Sequence, residues 1–223
     1  MPERAGKLRI LLFANGVAVD GSMVRRALEA AGSAHILCAD GGALHALRFG
    51  LAPQTIVGDL DSLSAEQVEG FRAAGAEILG FPAEKDETDL ELALRWSVDK
   101  GASAIVILGA LGGRIDQTLA NVHLLALPSL QHIRIELING EERIRLLRPG
   151  GHRVEGRAGD TVSLIPLGGE ASGISTGGLK YPLRDEALEF GPARGISNVM
   201  LGDGATIDLR RGLLLVVHTC GRA

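Results

Sequence analysis

Acidic side chains follow four short apolar runs in the first part of the sequence. Six aspartates share this placement: Asp40, Asp59, Asp61, Asp86, Asp89 and Asp116. The runs have the composition of buried parallel strands, whose carboxyl ends meet at one edge of a sheet, where ligands bind. The spacing therefore predicts a rim of five or six carboxylates along one edge of an α/β domain.

Asp59 and Asp61 form the most informative pair in this rim. Alternate residues of an extended chain point to one side, and like charges at close range repel, so the pair needs a cation. Oxygen ligands without a nearby histidine or cysteine favour Mg²⁺, which binds through carboxylates together with substrate phosphates. Lys85 and Arg114 supply positive charge, and the Gly112-Gly113 turn lets backbone N–H groups approach an anion. These residue types predict a magnesium site that binds phosphate groups.

Individual residues also have structural alternatives. Asp89 in the first turn of a helix would meet the helix dipole, and Asp116 would serve as an N-cap. His35 and His218 fall within strand patterns and are predicted to be structural, and Cys38, which ends a buried strand, is predicted to pack in the core. The functional hypothesis therefore rests on the whole rim and not on any single acid.

Several nucleotide-binding and catalytic motifs are missing from the sequence. No Gly-x-x-x-x-Gly-Lys-[Ser/Thr] occurs, and Ala-Asn-Gly at 14–16 stands where a dinucleotide fingerprint would follow the first strand. No Ser/His/Asp nucleophile arrangement presents itself. These absences disfavour a P-loop enzyme and a dinucleotide oxidoreductase.

The composition is that of a globular protein with ample apolar material for a core. The 223 residues are 46% hydrophobic and the net charge is −4, which argues against disorder and against a surface that coats nucleic acid. Cys38 and Cys220 lie far apart, so neither a zinc site nor a disulfide framework is expected. The apolar run at 10–14 is too short for a signal peptide, and no stretch approaches a membrane span. We therefore expect a soluble, cytoplasmic protein without a membrane or nucleic-acid partner.

Strand-like and helix-like segments alternate over residues 1–130. Apolar runs rich in β-branched residues predict strands at 9–13, 34–39, 54–57, 76–79 and 104–108. Helices are predicted between and after them, at 22–31, 43–49, 64–74, 88–100 and 117–127. Capping boxes open two of these helices, at Ser64 and Thr88. The alternation predicts a mostly parallel sheet covered by helices.

The pattern changes near residues 128–132, and no helix is predicted from residue 133 onward. Short alternating runs begin at 134, 142, 161, 205 and 213. Glycine-containing segments separate them, at 149–151, 168–169 and 177–178. That spacing is typical of a small all-β sandwich or barrel. The predicted organisation is an α/β domain over 1–130 followed by an all-β domain over 131–223.

A series of co-linear motifs resembles those of the thiamine pyrophosphokinase family. Four lie in the first domain: Ala-Asp-Gly-Gly-Ala at 39–43, Gly-Asp-Leu-Asp-Ser at 58–62, Lys-Asp-x-Thr-Asp at 85–89 and Gly-Gly-Arg-Ile-Asp at 112–116. The segments 176–183 and 195–198 resemble the thiamine-side motifs of that family. The resemblance covers residues 40–198, with Gln117 where bacterial members often have His and Tyr181 where many members carry Trp.

This resemblance implies a Rossmann-like, ATP-binding domain followed by a thiamine-binding β-sandwich. It implies transfer of the diphosphoryl group of ATP to the hydroxyl of thiamine, with thiamine diphosphate and AMP as products and Mg²⁺ as cofactor. It also implies a homodimer whose active sites lie between the first domain of one subunit and the second domain of the other.

The resemblance further assigns roles residue by residue. The implied metal ligands are Asp59, Asp61 and Asp89. The implied supporting acids, one of them a candidate proton acceptor, are Asp40, Asp86 and Asp116. The residues expected to contact ATP are Lys85, Thr88, Arg114, Gln117 and Asn121, of which Arg114 is also counted as catalytic. The residues expected to contact thiamine are Ser197 and Asn198, through the aminopyrimidine, and Tyr181, as a stacking face for the cationic heterocycle.

Three other functions would use the same acids. A related pyrophosphokinase could act on a pterin-like alcohol, but the motifs at 176–183 and 195–198 belong to the thiamine side. A non-catalytic sensor of thiamine or nucleotide would be favoured by eroded acids, whereas the aspartates of the rim are all present. A magnesium-dependent hydrolase would leave the second domain without a role.

Overall fold

The chain folds as two units that divide between Gly140 and Glu141, in a computed structural model that describes residues 8–221. The predicted domain boundary at 128–132 lies earlier in the chain than this division. The segment between the two positions holds one further strand of the first unit.

Within the described residues, the first unit alternates strands and helices. The strands are β1 (Arg9–Phe13), β2 (His35–Ala39), β3 (Thr55–Gly58), β4 (Glu77–Gly80), β5 (Ala104–Leu108) and β6 (Arg134–Asn139). The helices are α1 (Ser22–Ala31), α2 (Gly42–Arg48), α3 (Ala65–Ala73), α4 (Asp89–Asp99) and α5 (Ile115–Leu124), followed by a 3-10 turn at Pro128–Leu130. These elements confirm the predicted alternation, with bounds that shift by a few residues. No helix in residues 8–221 is long and apolar enough to cross a bilayer.

The strands of this unit are parallel and lie in the order β4-β3-β2-β1-β5-β6. The chain adds β2, β3 and β4 on one side of β1 and then crosses to the other side to form β5 and β6. The carboxyl ends of β1 and β5 therefore flank the point at which the winding reverses, and such points are where open α/β sheets bind ligands. The predicted parallel sheet is confirmed, and its acidic strand ends share one edge.

Strand β6 was expected in the all-β domain, and that expectation was wrong. It pairs in parallel with β5, with Ala104 opposite Arg134 and Leu108 opposite Ile138. Residues 135–138 are all buried, as in a parallel strand that is covered on both faces. The alternating charged residues do not mark one solvent face, because Arg134 is exposed whereas Glu136 is buried, with its carboxylate 2.8 Å from the Arg134 guanidinium.

Helix caps set the start of the two helices that flank the acidic loops. Gln67 N donates to Ser64 Oγ at 3.2 Å and Ser64 N donates to Gln67 Oε1 at 2.8 Å, which confirms the capping box of α3. Thr88 caps α4 by accepting from Glu91 N at 3.2 Å, so Asp89 becomes the first helical residue. The cap thereby fixes the position of one acid of the rim.

The second unit consists of antiparallel strands. They are β7 (Glu142–Leu147), β8 (Gly150–Glu155), β9 (Thr161–Gly177), β10 (Glu186–Leu188), β11 (Asn198–Val199), β12 (Gly204–Leu209) and β13 (Arg211–Thr219). The main order is β7-β13-β9-β12-β8, and β10 and β11 pair with β9. Alternate side chains form the core, which includes Val162, Leu164, Ile207 and Val216. The prediction of an all-β region is confirmed, and its strands pair antiparallel.

Glycines inside this unit were expected to separate strands, and at two places that was wrong. Gly150 and Gly151 begin β8, and β9 runs without a break through Gly168 and Gly169. Gly168 has φ +74° and Gly169 has φ +153°. The register against β13 shifts over the same stretch, and such an irregularity lets one long strand bend instead of ending.

A buried histidine–carboxylate pair lies in the second unit. His218 Nε2 is 2.9 Å from Asp160 Oδ2, and Asp160 also accepts from Gly221 N at 2.8 Å and from Arg157 N at 2.9 Å. Within the described residues 8–221, His218 Nδ1 is buried without a hydrogen-bond partner, so protonating it would bury an unsatisfied N–H group. Burial accordingly lowers the pKa of His218 and outweighs the opposing effect of Asp160. His218 is therefore neutral and structural, as predicted.

This pair predicts a loss of stability in mild acid. Below its ordinary pKa of 6.5, His218 binds a proton in the unfolded chain more readily than in the folded one. The free energy of unfolding should therefore fall as the pH falls from 7 toward 5, which urea denaturation at several pH values measures. Asp160, whose pKa is held below its ordinary range, adds a further loss in stronger acid.

The variant His218→Gln keeps an N–H donor for Asp160 but removes the titration. We expect a flatter dependence of stability on pH between 7 and 5, although not a flat one, because burial also lowers the pKa of His35. His132→Gln, at an exposed position, is the matched control and should leave the dependence unchanged. An unaltered pH dependence in His218→Gln would contradict the assignment.

Candidate active site

A cavity of about 630 Å³ lies at the carboxyl ends of the parallel strands of the first unit. Its walls come from the segments that follow β1, β2, β3, β4 and β5 and from α4 and α5. The sequence-predicted residues that line it are Asp40, Asp59, Asp61, Lys85, Thr88, Asp89, Arg114, Gln117 and Asn121. Asp86 and Asp116 are not part of the lining. Most of the predicted rim thus surrounds one cavity.

Asp40, Asp59 and Asp89 form a three-acid group, in which one carboxylate oxygen of each lies within 4.8 Å of the others. Asp40 follows β2, Asp59 follows β3, and Asp89 begins α4. Gly58 permits this approach, because a Cβ there would lie 3.0 Å from Asp89 Cγ and 3.1 Å from Asp40 Cβ. Carboxylates at such distances repel, so the group favours a cation.

Asp40 is the most buried member of the group. It is 2% exposed and has a left-handed backbone, with φ +47°. Its Oδ2 accepts a hydrogen bond from Asn15 Nδ2 at 3.1 Å, whereas its buried Oδ1 has no hydrogen-bond partner among residues 8–221. A buried carboxylate oxygen without a donor is costly, and a cation held by the three-acid group would satisfy it.

The Lys85 ammonium lies between the other two acids. Its Nζ is 3.1 Å from Asp59 Oδ2, 3.1 Å from Asp89 Oδ1 and 3.0 Å from the Pro82 carbonyl oxygen. Burial lowers the pKa of Lys85, but the hydrogen bonds and charges of Asp59 and Asp89 outweigh it, and the pKa lies above its ordinary value. Lys85 is therefore charged at neutral pH and places a positive charge inside the acidic rim.

The pKa values of the two carboxylates that Lys85 contacts are shifted in opposite directions. Hydrogen bonds from the Asp61 N–H and from Lys85 hold the pKa of Asp59 below its ordinary range. Burial raises the pKa of Asp89, and the neighbouring charges of Asp59 and Asp40 add to that effect against the influence of Lys85. A further positive charge nearby would therefore favour the ionised form of Asp89.

Asp61 lines the cavity but lies outside the three-acid group. Its N–H donates to Asp59 Oδ1 at 3.2 Å, and its Oδ1 accepts from Ser62 Oγ at 3.1 Å. Leu60, between the two acids, has φ +65°, so the chain turns there. The sequence argument that an extended Asp59-x-Asp61 pair points to one side was wrong in this respect.

Arg114 and Gln117 border the cavity at the start of α5. Arg114 forms a two-bond ion pair with Asp116, from Nε to Oδ1 at 3.1 Å and from a terminal nitrogen to Oδ2 at 2.5 Å. Asp116 Oδ1 also accepts from Gln117 N at 2.9 Å, so its carboxylate is engaged at the helix start. Exposed ion pairs contribute little to stability, and Arg114 can exchange Asp116 for another anion at small cost.

Of three further predicted residues, two have side chains that hydrogen-bond to the backbone and one lies at the surface. Thr88 Oγ1 caps α4, and the buried Asn121 donates from Nδ2 to the Ala110 carbonyl oxygen at 2.7 Å. Asp86 is exposed. Thr88 and Asn121 therefore shape the cavity wall through the backbone that they fix.

The residues predicted to contact thiamine lie in the second unit. Tyr181 is 60% exposed, and the side chain of Asn198 forms two hydrogen bonds with its backbone. Tyr181 N donates to Asn198 Oδ1 at 3.0 Å, and Asn198 Nδ2 donates to the Tyr181 carbonyl oxygen at 2.7 Å. Ser197 is exposed, has φ +58°, and donates from its N–H to Ser163 Oγ at 3.1 Å. Ser197 and Asn198 thus shape the segment that presents Tyr181.

Asn15 and Ser62 are cavity residues that the sequence-based predictions do not include. Asn15 Nδ2 donates to Asp40 Oδ2 at 3.1 Å and to Ser62 Oγ at 2.8 Å. The sequence signal for Asn15 is its place two residues after the end of the first strand, where a polar side chain reaches the sheet edge. Ser62 belongs to the Gly-Asp-Leu-Asp-Ser motif and stands next to Asp61.

The cavity thus combines two opposite charge patterns. The three-acid group and Asp61 present carboxylate oxygens, which suit a hard divalent cation. Lys85 and Arg114 present positive charge on the same lining, which suits phosphate oxygens. This pairing fits a metal-assisted transfer of a phosphate-containing group, in which positioning and charge do most of the catalysis.

Comparisons with known proteins agree with this chemistry. Residues 28–137 match the family model described as "Thiamin pyrophosphokinase, catalytic domain", and residues 151–214 match "Thiamin pyrophosphokinase, vitamin B1 binding domain". A thiamine pyrophosphokinase of Bacillus subtilis is 31% identical over 181 residues, which cover 81% of this chain and 85% of that protein.

Solved structures agree as well. The crystal structure of thiamine pyrophosphokinase from Bacillus subtilis superposes with a TM-score of 0.84 at 26% identity, over 95% of this chain and 99% of that one. A thiamin pyrophosphokinase family protein from Enterococcus faecalis superposes with a TM-score of 0.83 at 28% identity, over 96% of this chain and all of that one.

Proposed function

The chain belongs to the thiamine pyrophosphokinase family, and we propose that its acidic cavity is the site of diphosphoryl transfer from ATP to thiamine. The enzyme is an ATP-dependent diphosphotransferase that makes thiamine diphosphate from thiamine. The observation that carries the assignment to this cavity is the three-acid group beside Lys85, in which Asp40 Oδ1 has no hydrogen-bond partner in the described part of the chain.

The residues of the cavity fit Mg²⁺ as the cofactor. Asp59, Asp61 and Asp89 are the proposed ligands, with Asp40 beside them, and all four offer the oxygen donors that Mg²⁺ prefers. The buried Asp40 Oδ1 supports a cation here, because it has no donor of its own among the described residues. When bound, Mg²⁺ would neutralise negative charge on the phosphate oxygens of ATP.

The protein's own groups would hold and orient the triphosphate. Lys85 is charged and lies at the acidic rim, and Arg114 has an exposed guanidinium that can leave Asp116 for a phosphate. Thr88, Gln117 and Asn121 line the remaining wall of the proposed ATP site. These contacts would fix the β-phosphorus for attack and stabilise the charge that develops on its oxygens.

The proposed reaction forms one bond to phosphorus and breaks another. The hydroxyl oxygen of thiamine attacks the β-phosphorus, and the bond from that phosphorus to the oxygen that bridges it to the α-phosphate breaks. AMP leaves with the bridging oxygen, and the β- and γ-phosphates stay on thiamine. The hydroxyl proton passes to one of Asp40, Asp86 and Asp116, of which Asp40 lines the cavity.

The second unit would bind thiamine. Tyr181 is an exposed aromatic side chain that can stack on the cationic heterocycle, and Ser197 and Asn198 are the proposed neighbours of the aminopyrimidine. We propose a β-sandwich arrangement for this unit, which begins at Glu141, and a Rossmann-like, ATP-binding role for the unit that ends at Gly140. The match of residues 151–214 to a vitamin B1 binding domain supports the assignment of thiamine binding to the second unit.

Assembly and location complete the proposal. We propose a homodimer in which the first domain of one subunit and the second domain of its partner share each active site. We place the enzyme in the cytoplasm, a setting consistent with Cys38 and Cys220 as free thiols.

Product analysis tests the proposed reaction. The protein is incubated with ATP, Mg²⁺ and thiamine, and the nucleotides and thiamine esters are separated by chromatography. We expect AMP and thiamine diphosphate in equal amounts, and no turnover when EDTA replaces Mg²⁺. ADP with thiamine monophosphate would contradict diphosphoryl transfer, and turnover of a pterin alcohol in place of thiamine would favour the related pyrophosphokinase.

A further inference from the structure

Asn15 links two acids of the cavity that are far apart in sequence. Its Nδ2 donates to Asp40 Oδ2 at 3.1 Å and to Ser62 Oγ at 2.8 Å. Ser62 Oγ in turn donates to Asp61 Oδ1 at 3.1 Å. One side-chain amide on the loop after β1 therefore fixes carboxylates on the loops after β2 and β3.

Backbone hydrogen bonds on both sides of Asn15 hold its main chain in place. Ala14 N donates to the Leu108 carbonyl oxygen at 2.8 Å, and Gly16 N donates to that of Gly109 at 2.7 Å. Gly41 leaves room for the side chain, because a Cβ there would lie 2.3 Å from Asn15 Oδ1. These contacts restrict where the Asn15 amide can lie relative to Asp40.

The hydrogen-bond directions require an amide at this position. An Asn Nδ2 carries two hydrogens and can donate to both partners, whereas a carboxylate only accepts. Because Asn15 donates to Ser62 Oγ, the hydroxyl hydrogen of Ser62 is free to donate to Asp61. Because Asn15 also donates to Asp40 Oδ2, the Asp40 oxygen that has no hydrogen-bond partner among the residues that the structure describes is Oδ1.

We propose that Asn15 is a positioning residue for diphosphoryl transfer, which sets the orientation of Asp40 directly and that of Asp61 through Ser62. The inference rests on the proposed function of the cavity. Asn15 has no assigned contact with ATP or thiamine and acts through the two acids. Residues that orient metal ligands in this way change metal affinity or activity by about 10- to 100-fold when they are replaced.

The test uses Asn15→Leu, which keeps the approximate size and removes the donor. We expect kcat to fall by about 10- to 100-fold, with the Mg²⁺ concentration for half-maximal activity raised and KM for thiamine little changed. Binding of Mg²⁺ alone to the nucleotide-free protein, measured by calorimetry, should weaken as well. Ser62→Ala removes the hydrogen bond from Ser62 to Asp61 and leaves the bond from Asn15 to Asp40. We therefore expect a smaller fall in kcat than for Asn15→Leu.

Asn139→Leu is the matched control. Asn139 ends β6 in the same unit, and its Oδ1 accepts from Val19 N at 2.8 Å, so the variant also removes an asparagine that fixes a loop. It should lower the melting temperature without changing Mg²⁺ binding or kcat. If Asn15→Leu does not fold, it is replaced by Asn15→Ser, which is smaller and has a single hydroxyl donor. We expect kcat to fall and Mg²⁺ binding to weaken in this variant as well.

The outcomes separate this proposal from the proposed function. A folded Asn15→Leu protein with wild-type kcat and wild-type Mg²⁺ binding overturns the positioning role. Equal effects of Asn15→Leu and Asn139→Leu on Mg²⁺ binding overturn it too, because they indicate a general loss of stability. Failure of the wild-type protein to make thiamine diphosphate would instead overturn the proposed function, and the calorimetric comparison would still test Asn15.

Discussion

Replacing Asp59 by Asn is expected to lower kcat by about a thousandfold or more while the protein stays folded, since losing a metal ligand costs about 4 kcal/mol of transition-state stabilisation. Asp59 contacts Lys85 and belongs to the three-acid group, so it lies at the centre of the proposed cation site. Asn has the same shape and an oxygen that can still accept from Asp61 N, so the local turn should persist. Steady-state kinetics at saturating ATP, thiamine and Mg²⁺ measure the loss, and thermal denaturation checks the fold.

Two companion variants sharpen this experiment. Asp61→Asn tests the other proposed ligand of the same motif and is expected to show a comparable loss. Asp99→Asn removes a carboxylate from the last residue of α4, the helix that Asp89 begins, and should leave kcat unchanged. Near-normal turnover of Asp59→Asn at saturating Mg²⁺ would show that the three-acid group is not the metal site.

The fold of the first unit could be predicted because its strands and helices have local signals. Continuous apolar runs marked the strands, and polar caps such as Ser64 and Thr88 marked the start of helices. Strand β6 was assigned to the wrong domain because the choice between parallel and antiparallel pairing depends on which strand lies beside it. The buried Glu136, which pairs with the exposed Arg134, imitates the alternation of a half-exposed strand. Local sequence does not distinguish the two cases.

The candidate site was predictable in its residue types but not in its connections. The aspartates at the strand ends could be placed on one rim, because all parallel strands end at the same edge of the sheet. The left-handed backbones of Asp40 and Leu60 decide which carboxylates meet, and neither residue type requires that conformation. The bonds from Asn15 to Asp40 and Ser62 span 25 and 47 residues. Contacts over such separations follow from the folded sheet and not from a local pattern.

Recovery of activity from two inactive variants is expected if each active site is shared between subunits. The first variant is Asp59→Asn, which disables the metal and phosphate side. The second is Tyr181→Arg, which puts a positive charge where the cationic heterocycle of thiamine would stack, on an exposed residue whose replacement the fold should tolerate. Each variant alone should be inactive, because both sites of its dimer carry the same defect.

Mixing the two variants by co-expression makes dimers that carry one chain of each kind. Two-fold symmetry gives every dimer two equivalent sites, so in a mixed dimer one shared site collects both defects and the other collects none. With equal amounts and random pairing about half of the dimers are mixed, and roughly a quarter of all sites should be intact. Purifying mixed dimers through two different affinity tags should raise the intact fraction to about half. A site contained within one chain would recover nothing, because every chain carries a defect; tag-purified mixed dimers without activity would therefore rule out the shared site.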